Sequence, residues 1–290
     1  MSSAVDVMSK PGKSSLPWGL WLRQIQAILR LELHKNFLSR RSILIYLIAL
    51  LPLFPLLVLA VVQPPGNEWR DFSNFGKVYV VLYHGFILRT VVFFGCAWIF
   101  MNLFRGELVD RSLHYYFLTA VRREVLVVGK YLSGLVTSIV MFTGTTVLAF
   151  LLLYVPFSSL STRYFTAGEG LAHLLGYAGI TMLACVGYGA FFLVVGLFVR
   201  NPIVPALLLY GWEWLNFLLP PLLKKISVVH YLNSLMPVPI SVAVSEGPLA
   251  VVAEPTPAWI AIPSMLVVTL VVLVLAAHRT RRMEIRYGNE

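Results

Sequence analysis

Two ionisable side chains lie where water is scarce. Arg89 interrupts the apolar run from Val78 to Leu103, and Glu213 interrupts the run from Ile203 to Leu219. A charge at the middle of a membrane span costs about 2.5–3.5 kcal/mol on insertion scales, so it pairs or faces a watery cavity. Arg89 and Glu213 are therefore read as partners of each other, or as contacts for a polar part of a substrate. A salt bridge that serves packing alone is the plain alternative. His84 sits one apolar turn before Arg89, placed to join its polar network, and Trp212 and Asn216 flank Glu213. With Tyr210, Trp214 and Phe217, Trp212 forms an aromatic group that lines a lipid-like path or simply packs and anchors its helix.

A second group of charges lies between two apolar runs, from Phe104 to Lys130. On a short helix over about 107–121, Glu107, Asp110, Arg111 and His114 share one face, and Leu113, Phe117 and Val121 another. Arg122 and Arg123 follow. Such an amphipathic helix at a membrane surface presents charge to a soluble partner; an ordinary solvated loop helix has the same pattern.

Other chemistries find little support. The six histidines are scattered without metal-ligand spacing. Cys96 and Cys185 fall inside apolar runs and read as small buried hydrophobes. There is no Gly-x-x-x-x-Gly-Lys-Ser/Thr loop to cradle a phosphate, no serine-nucleophile motif and no paired-carboxylate site. The chain is not expected to be an enzyme by itself or to bind a cofactor or metal.

The elements that position these residues follow from composition. The chain is 58% hydrophobic and only 12% charged, about half the charge of a soluble domain. Long apolar runs separated by short charged clusters suit helices in lipid, each satisfying its own backbone. The expected fold is an all-α integral membrane domain over 42–278. Its six spans are about 42–62, 78–103, 126–155, 171–199, 203–219 and 259–277. Pro52 and Pro55 are expected to kink the first. Residues 1–17 are expected to be a disordered tail without a cleavable signal, and 279–290 a second tail. Trp18, Trp21, Leu22, Ile25, Ile28 and Leu29 repeat at helical spacing within 18–41, which predicts an amphipathic helix in the membrane interface; a helix packed on the protein itself is the alternative.

The net charge is +10, but the basic residues flank spans instead of forming one patch, so nucleic acid is not the expected partner. Lys and Arg concentrate before the first span, between spans two and three, and in the final tail. That asymmetry places both termini in the cytoplasm of a multi-pass protein of the inner or plasma membrane. Val228–Val244 is apolar but broken by Pro237 and Pro239, which predicts re-entrant or interfacial helices on the outer side between spans five and six. Small residues recur every four positions at Gly129, Ser133 and Thr137, and at Ala172 and Gly176, allowing close helix contact within one subunit or between two.

Glu107, Leu113, Leu118, Arg122 or Arg123, and Lys130 stand in an order that resembles the stretch after the second helix in ABC-2 type (ABC transporter) permeases. The departure is at Ala120-Val121, where family members often carry a proline before the arginine. The plan of an N-terminal interfacial helix, six spans and re-entrant outer helices also resembles that family. The resemblance implies a permease that dimerises with a second permease subunit, as homo- or heterodimer. It also implies that each half binds a cytoplasmic ABC ATPase, with ATP and Mg held by that partner. The short helix bearing Glu107, Asp110, Arg111, His114 and Phe117, with Arg122 and Arg123, would transmit the ATPase movement. Family tendency points to export of a hydrophobic or amphipathic substrate. Two other classes stay open: a non-transporting scaffold of a larger membrane complex, and a membrane enzyme acting on lipid.

Overall fold

The computed structural model describes residues 18–39, 42–62, 72–109, 122–154, 158–199, 201–238 and 254–281. Among these, 89% are helical and none lies in a strand. Four helical runs are long and apolar enough to cross a membrane: Gly76–Gly106, Arg123–Tyr154, Gly170–Phe198 and Ala258–Thr280. The chain is thus an all-α membrane protein. Residues 1–17 and 282–290, most of the predicted helix over 107–121, and residues 239–253 of the predicted re-entrant region lie outside the described residues; residues 279–281, expected in the second tail, continue the last helix.

The first helix, α1 (Trp18–Leu38), is followed by α2 (Ser42–Leu50) and α3 (Leu53–Val62). The predicted first span is therefore two helices. Pro52 has no N–H to continue the ladder, so the chain turns at Leu51-Pro52 and restarts at Leu53. Pro55 falls in the first turn of α3, where a missing N–H costs nothing. The run after it begins as α4 (Phe72–Leu82), passes through a π-helical stretch at Tyr83–Val92, and continues as α5 (Phe93–Val109). Next come α6 (Arg123–Ser138), a short π-helical stretch at Ile139–Thr143 and α7 (Gly144–Tyr154), in one line. A surface helix, α8 (Ser158–Ala167), leads into α9 (Gly170–Phe198). The predicted fifth span appears as α10 (Ile203–Trp214) and a 3₁₀ turn at Leu215–Leu218, ending at Pro220. Two short helices, α11 (Pro221–Lys224) and α12 (Val228–Ser234), precede the last helix, α13 (Ala258–Arg281).

The core forms where α5 meets α9. Phe93, Cys96 and Phe100 of α5 and Cys185, Tyr188 and Phe192 of α9 are fully buried. Small residues set the spacing. A Cβ at Gly196 would lie 2.6 Å from the Met101 backbone, so the two helices touch main chain to main chain. Some buried polar groups are paired across helices: Tyr83 Oη lies 2.9 Å from Thr181 Oγ1, which lies 3.1 Å from Thr146 Oγ1. That chain links three spans through buried hydroxyls and leaves no costly orphan on them.

The outside is apolar. Leu266, Val267, Leu270, Val271, Val274 and Leu275 of α13 are exposed, as are Ile203, Val204, Leu207 and Leu208 of α10. Only 22% of the apolar window of α13 is buried, against 67% for α9, so α13 is a peripheral helix with a lipid-facing surface. A water-soluble protein does not leave such a stripe uncovered.

Candidate functional site

Three polar arrangements sit in or against the spans. The first joins α1 to the bundle at the end that carries Arg122 and Arg279. Lys130 of α6 is wholly buried. Its ammonium donates to Glu32 Oε1 of α1 at 2.8 Å and to the Leu103 carbonyl of α5 at 2.8 Å. It also lies 5.2 Å from the centre of the Phe104 ring. Lys35 adds a second cation 3.6 Å from the same carboxylate oxygen. The charge is tolerated because two acceptors and a π face meet it.

The surrounding helices fit this clasp by shape. The stripe Gly129, Ser133, Thr137 faces α1: a Cβ on Gly129 would meet Ile28 at 3.0 Å, and Asn36 donates to Thr137 Oγ1 at 3.2 Å. The stripe therefore serves contact within one chain. Along α1 the buried or half-buried positions include Trp21, Ile25, Ile28, Glu32 and Asn36, at helical spacing, while Trp18 and Leu22 are exposed. The alternative reading of α1 as a helix packed on the protein thus describes one face, and its exposed apolar residues leave another for an interface. Arg122 lies 4.8 Å from the centre of the Trp21 ring, and Arg123 donates to the Thr280 carbonyl at 3.3 Å. Both arginines were singled out in the sequence, and here they tie the start of α6 to α1 and α13. The side chain of Glu107, and Asp110, Arg111, His114 and Phe117, lie outside the described residues.

Glu32 was not singled out in the sequence. It stands in an amphipathic segment where acids are unremarkable. Its signal is phase: it falls four residues after Ile28, on the face otherwise made of Trp21, Ile25 and Ile28.

The second arrangement surrounds Arg89 and Glu213. The π-helical stretch at Tyr83–Val92 bonds residues five apart, which brings His84 and Arg89 to one face. Both are buried. Arg89 lies 5.9 Å from the centre of the Trp214 ring, and its charge acts on both His84 and Glu213. Glu213 is 2% exposed. Its carboxylate accepts from the Ser227 hydroxyl at 2.5 Å, and from the amides of Val228 and Val229 at 3.1 Å each. Those amides open α12 and have no partner within that helix. The buried carboxylate therefore caps α12, close to the Arg89 charge, a use the sequence reading had not considered. Asn216 is buried in the 3₁₀ turn, and no acceptor meets its Nδ2.

Beside this knot, between α9, α10, α12 and α13, is a cavity of about 400 Å³. Tyr188, Trp212, Glu213, Lys225, Tyr231 and Met265 are among the residues lining it. Most of the wall is apolar. Tyr188 is fully buried, and its hydroxyl has no hydrogen-bond partner. Trp212 lines this cavity, while Tyr210 packs on Phe93 and Phe94 with ring centres 5.3 and 4.7 Å away.

The third arrangement was not legible in the sequence. At the opposite end of the bundle, Tyr79, Tyr83, Phe150, Tyr154, Tyr164 and Tyr177 form a continuous aromatic cluster. It encloses a cavity of about 210 Å³.

No group of three or more potential metal ligands occurs among the described residues. No family model, curated protein or solved structure matches the chain.

Proposed function

We propose that this chain is the permease subunit of an ATP-binding-cassette transporter. On this reading it exports a hydrophobic or amphipathic substrate with energy from a separate cytoplasmic ATPase. One observation carries the reading: both ends of the candidate docking segment, which lies between α5 and α6, are tied to other helices. Where α5 nears that segment, the Leu103 carbonyl takes the Lys130 ammonium. Where α6 leaves it, Arg122 and Arg123 contact Trp21 and the Thr280 carbonyl. A push on the segment would therefore reach α1, α5, α6 and α13 together. A partner that performs work needs such a rigid linkage, whereas a solvated loop does not.

The mainly apolar cavity lined by Trp212, with Lys225 and Glu213 in its wall, suits an amphipathic substrate. In the full arrangement α2–α3 and α10 complete six spans, α11 and α12 belong to a re-entrant outer pair, and both termini face the cytoplasm.

Isolation of the chain from its native membrane in mild detergent tests this reading. A co-isolated nucleotide-binding subunit, with ATP hydrolysis that needs this chain and falls in an Arg122→Glu, Arg123→Glu variant, is the expected result. A stable complex without any nucleotide-binding subunit would favour the scaffold. Modification of lipid by the reconstituted chain alone would favour the enzyme.

A further inference from the structure

The cavity at the far end of the bundle has walls of one chemical kind. Phe150, Tyr154, Tyr164, Tyr177 and His173 line it, with Gly76 and Val238. The rings support one another: Phe150–Tyr154 centres are 4.6 Å apart, Tyr154–Tyr164 5.3 Å and Phe150–Tyr177 6.1 Å. Tyr79 backs the wall, 4.9 Å from Phe150 and 5.0 Å from Tyr177. Such a wall is braced before any ligand arrives, which lowers the ordering cost of binding.

Two polar features complete it. Tyr177 is 1% exposed, and its hydroxyl has no hydrogen-bond partner. Tyr164 Oη lies 2.6 Å from His173 Nδ1, and His173 Nε2 lies 3.5 Å from Glu169 Oε2. That relay fixes the imidazole and sets one carboxylate near the rim; Glu169 itself is 83% exposed. Burial pushes the Tyr164 phenol up, so its ring stays neutral near neutral pH. No lysine or arginine lines the cavity among the described residues.

These features select the occupant. A metal ion would need carboxylate or carbonyl ligands, and the lining side chains offer no carboxylate. An anion would meet the negative faces of the rings. A sugar would need several paired donors and acceptors, where the wall offers one free hydroxyl. A soft organic cation whose charge is spread over methyl groups gains from a wall built of aromatic rings and loses little on leaving water.

We propose that this aromatic cavity is a binding site for a methylated ammonium group, of the kind carried by choline. The group belongs to a lipid headgroup or to a free solute; the recognition chemistry is the same. The site does not depend on the transport reading, since a scaffold or an enzyme could carry it equally.

The test uses the full chain purified in a maltoside detergent, with radiolabelled choline as the probe in a scintillation proximity assay. Tetramethylammonium and the neutral isostere 3,3-dimethylbutan-1-ol serve as competitors. The expected result is saturable choline binding, displaced by tetramethylammonium, with the neutral isostere weaker by about tenfold or more. Binding is lost in Tyr164→Leu and in Gly76→Leu. The second variant pushes a side chain into the cavity from a position whose Cβ would lie 3.5 Å from the Tyr154 hydroxyl, and it removes no ring. Phosphatidylcholine and phosphatidylglycerol nanodiscs then separate the sources. Suppression only in phosphatidylcholine identifies the lipid headgroup, and equal binding in both identifies a free solute. Absence of saturable binding, or equal competition by the neutral alcohol, overturns the proposal. That comparison needs only the unaltered protein, so it stands even if a variant fails to fold.

Discussion

Replacing Lys130 with methionine exposes the energetics of the clasp. The ammonium has no solvent contact, and it meets Glu32 Oε1 and the Leu103 carbonyl at 2.8 Å each. Methionine fills nearly the same volume, so little of the effect is packing. What remains is Glu32, 5% exposed, with only Lys35 at 3.6 Å, a residue that is itself 48% exposed. Breaking one side of a buried pair costs about 3–5 kcal/mol, because the other charge stays buried. At ~2–4 °C per kcal/mol for a chain of this order of size, the midpoint falls by roughly 6–20 °C. Glu32→Gln keeps an acceptor for Lys130 but leaves that ammonium buried without a counter-charge, so its cost falls toward the lower end of the same range, about 3 kcal/mol. The double variant Glu32→Gln, Lys130→Met removes both charges and returns most of the loss. The only two cysteines, Cys96 and Cys185, are free and buried, so a thiol-reactive dye reports unfolding directly in detergent. A Lys130→Met midpoint unchanged from wild type, or a double variant whose loss equals the sum of the singles, would refute the pairing argument.

Other outcomes follow from the packing. Gly196→Val should abolish folded protein, since a Cβ there would lie 2.6 Å from Met101 backbone, whereas Gly144→Ala, with nothing within 4 Å, should raise stability by about 1 kcal/mol. Dye-detected melting of both variants checks the contrast. Glu213→Ala strips three hydrogen bonds from the start of α12 and should cost about 2–4 kcal/mol; faster hydrogen exchange at Val228 and Val229 is the local readout. Tyr188→Phe should change the midpoint by less than about 2 °C, because the hydroxyl it removes has no partner. Tyr83→Phe should cost about 1–2 kcal/mol, since that hydroxyl donates to the Tyr177 carbonyl at 3.0 Å and meets Thr181 at 2.9 Å.

Apolar runs made the long helices legible. The expected spans at 126–155, 171–199 and 259–277 correspond to helices at Arg123–Tyr154, Gly170–Phe198 and Ala258–Thr280, because hydrocarbon length and backbone satisfaction leave one solution. Pro52 breaks 42–62 into two helices, and 203–219 passes from α-helix into a 3₁₀ turn at Leu215, local backbone effects that an apolar count passes over. Glu213 was visible because a carboxylate stands out in an apolar run, yet its partners lie at Ser227–Val229, in a segment whose fold depends on that carboxylate. Glu32 was hidden by surroundings that already carry charge. The far aromatic cavity had no linear signal: Phe150, Tyr154, Tyr164 and Tyr177 come from three separate helices, and aromatic residues are ordinary near the ends of spans.

The seating of α1 on the Gly129–Ser133–Thr137 groove limits how copies of this protein can meet. That groove has the small-residue profile by which membrane helices of neighbouring molecules often lock together, but it is already filled by the chain's own N-terminal helix. A neighbour seeking it would have to lift α1 away, stranding an ammonium and a carboxylate in lipid. Self-assembly is therefore steered to other flanks of the bundle.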